Sequence, residues 1–206
     1  MNAPFRIVLA AAVLAAASMA QADGSGLELR GGYFDMTNAP RSAQALFGQR
    51  GGPLVGIALR VGLGENNFVR IGASFVRRTG ERVIADGEDV FPLGHPLEVQ
   101  ILPAYLDLAR QFLRDSALRP YVGFGVGAVL FREESEVAGD TLSDERAKLS
   151  TRVLLGATWG QGTWRLGAEL AYSRAPDAIG LGGVSKVYGE NDLGGLSAAA
   201  TLTWRP

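Results

Sequence analysis

Leu193-Gly194-Gly195-Leu196-Ser197-Ala198-Ala199-Ala200-Thr201-Leu202-Thr203-Trp204 is the stretch on which the reading of the fold turns. Leu196, Ala198, Ala200, Leu202 and Trp204 alternate with Ser197, Ala199, Thr201 and Thr203, a period of two that sorts the side chains onto the two faces of a strand. A strand at the end of the sequence needs partners on both edges, because an open edge presents a row of unpaired backbone groups. In a closed antiparallel barrel those partners are the first strand and the last but one.

Seven further segments carry the same period: residues 27–34, 54–63, 68–78, 97–112, 119–131, 149–159 and 164–174. The clearest sets Val55, Ile57, Leu59, Val61 and Leu63 against Gly56, Ala58, Arg60 and Gly62. In 97–112, Val99, Ile101 and Pro103 oppose Glu98 and Gln100, and the phase is lost around Leu106, Asp107 and Leu108. Pro103 cannot donate to a ladder, so a bulge is expected there. With the closing strand the chain is expected to be all-β: an eight-stranded antiparallel up-and-down transmembrane β-barrel.

The start of the chain reads differently. Within Met1 to Ala22 one early cation, Arg6, precedes an apolar run from Ile7 to Ala17 and then Ala20-Gln21-Ala22 with its small flanking residues, the pattern of a cleaved secretory signal. The run is well short of the roughly 20 residues a spanning helix needs. The expected division is thus a signal at 1–22 and one barrel domain at 23–206. Loss of the signal takes 20 cations to 19 and leaves 21 anions, a near-neutral chain with no basic footprint for nucleic acid. There is no Cys, which excludes disulfides and thiolate metal sites.

Alternation alone does not say which face of a barrel is apolar; the connections do. Gly64-Glu65-Asn66-Asn67, residues 113–118 and Gly160-Gln161-Gly162-Thr163 are short and rich in turn formers, whereas 34–53, 79–96, 132–148 and 175–192 are long and polar. Short periplasmic turns opposite long outer loops suit an outer-membrane barrel of a Gram-negative cell. Aromatic residues agree: Trp159, Trp164 and Trp204, with Phe68, Phe112 and Tyr121, fall at the short-turn end. Tyr33, Phe75 and Tyr172, with Phe34 and Phe131, fall toward the long loops. Two such bands are the girdles expected at the headgroup levels.

The opposite face carries Glu28, Arg30, Arg60, Arg70, Glu98, Arg152, Arg165 and Glu169 among glycines. In a narrow lumen glycine leaves room for long neighbours, and buried charges persist when paired, so these eight are expected to form an ion-pair network plugging the barrel. At this point the chain resembles the small outer-membrane barrels of the opacity-protein and surface-antigen type. The resemblance rests on the signal, on Tyr121-Val122-Gly123-Phe124-Gly125-Val126-Gly127 and on Leu202-Thr203-Trp204, although Arg205 and Pro206 follow the terminal aromatic that usually ends such chains.

Signals for chemistry are thin. The sole histidine, His95, stands in Gly94-His95-Pro96 with no serine beside it, so no nucleophile and base are recognisable as a pair. The loop carboxylates, Glu81, Asp86, Glu88 and Asp89 in one and Glu133, Glu134, Glu136, Asp140, Asp144 and Glu145 in another, lack calcium-loop spacing. Arg41, Arg50, Arg77, Arg78 and Arg82 are better suited to lipopolysaccharide phosphates. The expected function is a structural or surface-interaction barrel that is not an enzyme and uses no cofactor or metal. A narrow channel for small solutes and a lipid A-modifying enzyme stand as alternatives. The expected partners are outer-membrane lipids and lipopolysaccharide, the barrel assembly machinery and an extracellular ligand, with no nucleic acid, and the chain is expected to act as a monomer.

Overall fold

The computed structural model describes residues 25–86, 89–113, 115–137, 140–160, 162–180 and 182–205; the signal expected at 1–22 lies outside them. Eight strands follow one another around a closed ring: β1 (Gly26–Asp35), β2 (Gly51–Leu63), β3 (Asn67–Asp86), β4 (Asp89–Gln111), β5 (Leu118–Val137), β6 (Asp140–Trp159), β7 (Trp164–Arg174) and β8 (Gly195–Trp204). Each pairs antiparallel with its neighbours in sequence. The ring closes between β8 and β1, with Leu27 opposite Trp204 and Asp35 opposite Leu196. Helix α1 (Pro40–Phe47) lies between β1 and β2 and the short helix α2 (Gly183–Val187) between β7 and β8.

Two of the expected long loops are not loops. Residues 79–96 and 132–148 continue the ladders outward, pairing as far as Asp86 with Asp89 and Val137 with Asp140. The other two, 34–53 and 175–192, carry α1 and α2, for which the sequence reading had no helix. Pro40 stands at the first turn of α1, and Gly48 ends it in the left-handed conformation at φ 68°.

Pro103 does not produce the expected bulge. The register of Ala73 with Ala104 resumes unchanged at Val76 with Ile101, and the shift falls further out, between Glu81 and Val83. The apparent loss of phase in β4 has another cause. Leu97, Val99, Ile101, Tyr105, Asp107 and Ala109 all face inward and are buried, while Leu106 and Leu108 face out. The strand keeps its period and changes which face is apolar, because its outer half leaves the lipid while the interior beneath the loops is dry.

The exterior below that level is a continuous apolar belt. Leu29, Val55, Ile71, Leu106, Val122, Phe124, Val126, Val153, Leu155, Leu166, Leu170 and Leu196 are each at least two-fifths exposed. Such a surface is far beyond what a chain in water presents, and is what a hydrocarbon surrounding requires. Trp159, Trp164 and Trp204 face outward at one end of the belt and Tyr33, Phe75 and Tyr172 at the other. Phe34, Phe68, Tyr121 and Phe131 correct the expected girdle: all four point inward and are buried, as the pleat dictates for their positions.

Replacement of outward-facing Leu155 by Arg is expected to cost about 2 to 4 kcal/mol if the site is near the midplane. Urea-dependent refolding into lipid vesicles measures it, and an unchanged midpoint would mean that this face does not meet lipid.

Candidate functional site

The interior is filled in layers. At mid-barrel three carboxylates and three guanidiniums meet, contributed by five strands: Glu28 and Arg30 from β1, Arg70 from β3, Asp107 from β4, Arg152 from β6 and Glu169 from β7. Arg70 is the hub. Its Nη1 lies 3.0 Å from Glu28 Oε1 and 2.7 Å from Glu169 Oε2, and its Nη2 lies 2.9 Å from Asp107 Oδ2. Arg152 grips the same Asp107 with two bonds of 2.8 Å, from Nε to Oδ1 and from Nη2 to Oδ2. Arg30 donates to Glu169 and, at 2.8 Å, to the Tyr105 hydroxyl, and Tyr121 donates its hydroxyl to Glu169 Oε2 at 2.8 Å.

Two tyrosines complete this layer. The Tyr105 ring lies under the Arg152 guanidinium at 3.7 Å, and Tyr121 meets Phe68 edge to face at 5.5 Å. Glycine supplies the space. A Cβ on Gly125 would overlap Asp107 Oδ1, and one on Gly156 would stand 2.5 Å from the Tyr121 hydroxyl oxygen. Arg70, Glu28, Asp107 and Glu169 are at most 2% exposed.

Of the eight residues expected in the network, five meet here: Glu28, Arg30, Arg70, Arg152 and Glu169. Glu98 does not. It faces outward in the upper part of β4 and pairs with the exposed Arg77, because odd-numbered residues of that strand face inward. Arg60 and Arg165 face inward but lie toward the periplasmic end, outside the ion pairs. The residue the sequence reading missed is Asp107. Its signal was present in the run Tyr105, Asp107, Ala109 between Leu106 and Leu108, read as lost phase.

Above the charged layer the interior is mostly apolar, with Ser74, Arg78 and Ser135 as its buried polar members. Phe34, Leu54, Val76, Leu97, Val99, Ile101, Val129 and Phe131 form a core that Met36, Ala39, Ala43, Ala175, Ala178, Ile179 and Leu193 close from the two capped loops. Glu190 holds the caps together by accepting the amides of Arg41 (3.0 Å) and Ser42 (2.8 Å) at the start of α1. Asp192 anchors the second loop. Burial opposes its ionisation, but the amides of Ala175 and Gly194 and the side chains of Arg174 and Asn38 outweigh it and hold the carboxyl below its usual range.

Between the caps and the projecting hairpins lies a cleft of about 300 Å³, lined among others by Arg82, Phe131, Glu133, Asp144, Arg146 and Ile179. Burial raises the Glu133 carboxyl above its usual range. Arg78, expected to meet lipopolysaccharide, is instead turned inward, where it donates to the Gly51 and Gln49 carbonyls. Arg50 pairs with Asp35 at 3.4 Å, and Arg41 lies 4.1 Å above the Tyr188 ring. His95 sits in the outer part of β4.

No protein-family model and no curated protein matches the chain. Solved structures do. The crystal structure of Neisserial surface protein A superposes with a TM-score of 0.58 at 11% identity, over 89% of this chain and 98% of that one. Outer membrane protein OprG of Pseudomonas aeruginosa gives 0.56 at 14%, over 90% and 98%. Ail, the attachment invasion locus protein of Yersinia pestis, gives 0.50 at 10%, over 87% and 96%. The chain therefore has the fold of the small outer-membrane β-barrels, which agrees with the resemblance read from its sequence.

Asp107→Asn leaves Arg70 and Arg152 short of a counter-charge in a dry site and is expected to destabilise the barrel by about 3 to 5 kcal/mol. Glu98→Gln, at an exposed pair, is expected to change it by no more than about 1 kcal/mol. Equal effects of the two in urea titrations of the folded protein would contradict the placement of both residues.

Proposed function

We propose that this chain acts at the outer face of a Gram-negative outer membrane as a surface-interaction barrel, and that its lumen is a structural plug. The observation that carries the reading is the sealed interior: a charged layer at most 2% exposed at Arg70, Glu28, Asp107 and Glu169, beneath an apolar core and two caps. A conduit needs a continuous polar path, and this interior offers paired charges and then close-packed aliphatic side chains. An enzyme of lipid A would need a nucleophile and an oriented base at the rim, and His95 stands without a recognisable partner of that kind.

What remains for interaction is the outer end. The hairpins β3–β4 and β5–β6 project beyond the girdle, and outward-facing Arg77, Arg132 and Arg174 lie on its outer side, beyond Phe75 and Tyr172. Guanidinium forks suit those phosphates, and projecting hairpins offer backbone and side chains to a ligand from outside the cell.

The purified protein in planar bilayers is expected to show no steady nanosiemens-scale conductance. Arg77→Gln/Arg132→Gln/Arg174→Gln is expected to weaken its binding to lipopolysaccharide-coated surfaces, and replacing residues 81–95 and 133–146 by tight turns as well is expected to abolish it, with the heat-dependent gel shift of a folded barrel kept in both. Sustained conductance, or binding indifferent to both changes, would overturn the reading.

A further inference from the structure

The charge balance of the lumen leaves a remainder at its periplasmic mouth, the end opposite the proposed interaction surface. Arg60, Arg119 and Arg165 occupy inward-facing positions at the ends of β2, β5 and β7, opposite Gly26, Thr158 and Thr203. Arg205 follows β8 directly, its amide donating to the Thr163 carbonyl at 2.8 Å. The four are one electrostatic cluster: Arg165 feels the charges of Arg205 and Arg119, and Arg60, which feels the Glu28 carboxylate most, feels those of Arg70 and Arg205 as well.

Their hydrogen-bond partners within the chain are neutral. Arg60 donates to the Gln111 side chain and lies 3.5 Å over the Phe68 ring. Arg119 donates to the Ser116 carbonyl at 3.1 Å. The Nε of Arg165 is buried with no hydrogen-bond partner. Among the described residues none of the four forms an ion pair, whereas every guanidinium of the mid-barrel layer does. Beyond the last strand, burial and the charge of Arg119 together hold Arg205 below its ordinary range.

Like charges gathered in a half-buried mouth repel one another, and a counter-charge from outside relieves the repulsion. Planar guanidinium forks bind tetrahedral oxyanions through paired N–H···O bonds, and several cations together favour an anion with more than one negative charge. We propose that Arg119, Arg165 and Arg205, with Arg60 at the floor, form a periplasm-facing binding site for a multiply charged oxyanion of the phosphate class. Two sources offer that chemistry: soluble phosphates of the periplasm, and phosphorylated headgroups of the inner leaflet, whose level the neighbouring Trp164 and Trp204 mark.

The test compares the thermal unfolding midpoint of the folded protein in neutral detergent with sodium pyrophosphate and with sodium chloride at equal ionic strength. Pyrophosphate is expected to raise the midpoint of the unaltered protein, and the Arg119→Gln/Arg165→Gln double variant is expected to lose that increment. In chloride the double variant is expected to be no less stable than the unaltered protein, because it has lost repelling charges, so the lost increment will not reflect misfolding. Arg165→Lys, which keeps the charge, is expected to retain part of the effect. In a second arm the protein is reconstituted with and without cardiolipin, whose headgroup carries two phosphates, in phosphatidylcholine. Competition by that lipid would support the site with a headgroup as its source, and indifference with a pyrophosphate increment would support it with a soluble phosphate. No increment in the unaltered protein, or the same increment in the double variant, would overturn the proposal.

Discussion

The three contacts of Arg70, with Glu28, Asp107 and Glu169, are the constraint on which the rest of the barrel rests. A guanidinium removed from water is costly, and its attraction to carboxylates repays that cost when geometry and remaining hydrogen bonds are satisfied. Here one cation draws carboxylates from three strands that are not neighbours in the ring, and Arg30 and Arg152 complete the balance at three charges of each sign. The wall has to follow. Gly125 and Gly156 are bare because Asp107 and Tyr121 need their space, and the same crowding makes an inward-facing position as intolerant of a large side chain as the lipid face is of a charged one. Ser74 and Thr158, both buried in packed interior, leave no free space for an arginine.

A second constraint acts where the strands leave the lipid. Below the outer girdle the outward residues are apolar and the inward ones polar. Above it, Arg77, Glu98 and Arg132 face out while Val76, Val99 and Phe131 face in. The pleat is continuous, and the environment changes on both sides of the wall at about the same height. Water replaces hydrocarbon outside, and the caps exclude water inside. The wall thus passes from a membrane barrel to the shell of a small ordinary protein core without any break in β4.

That inversion decides how much of the molecule was legible in its sequence. Strand number, order and orientation were readable because each spanning segment shows its two faces through the period of two, and because short and long connections alternate. The lipid face and the six outward girdle residues follow from the same pattern. In the sequence Glu98 reads as inward and Asp107 carries no mark for one reason: at the outer end of β4 apolar means inward, whereas within the membrane apolar means outward. The alternation running from Leu106 places both. The outer hairpins read as loops because their strands face water outside and lose the apolar belt that marks the spanning part. The caps were beyond reach, since Glu190 and Asp192 act on segments well over a hundred residues away or on backbone amides that no sequence pattern announces.

The strand order has a consequence for how the ring comes to be. Seven of the eight seams join segments that are neighbours in the chain and can zip in succession as each hairpin forms; only the seam of β1 with β8, Leu27 beside Trp204, needs both ends of the sequence at once. The central ion cluster draws on β1, β3, β4, β6 and β7. An unclosed sheet can already pair Arg70 with Asp107, its cross-strand neighbour on β4, but the links of Arg70 and Arg30 to Glu169 join strands that meet only when the sheet curls round. Closure therefore completes the neutralisation that the β3–β4 hairpin begins, which gives the last strand authority over the whole molecule: until it docks against the first, Glu169 and Arg30 remain solvated charges that resist entry into lipid.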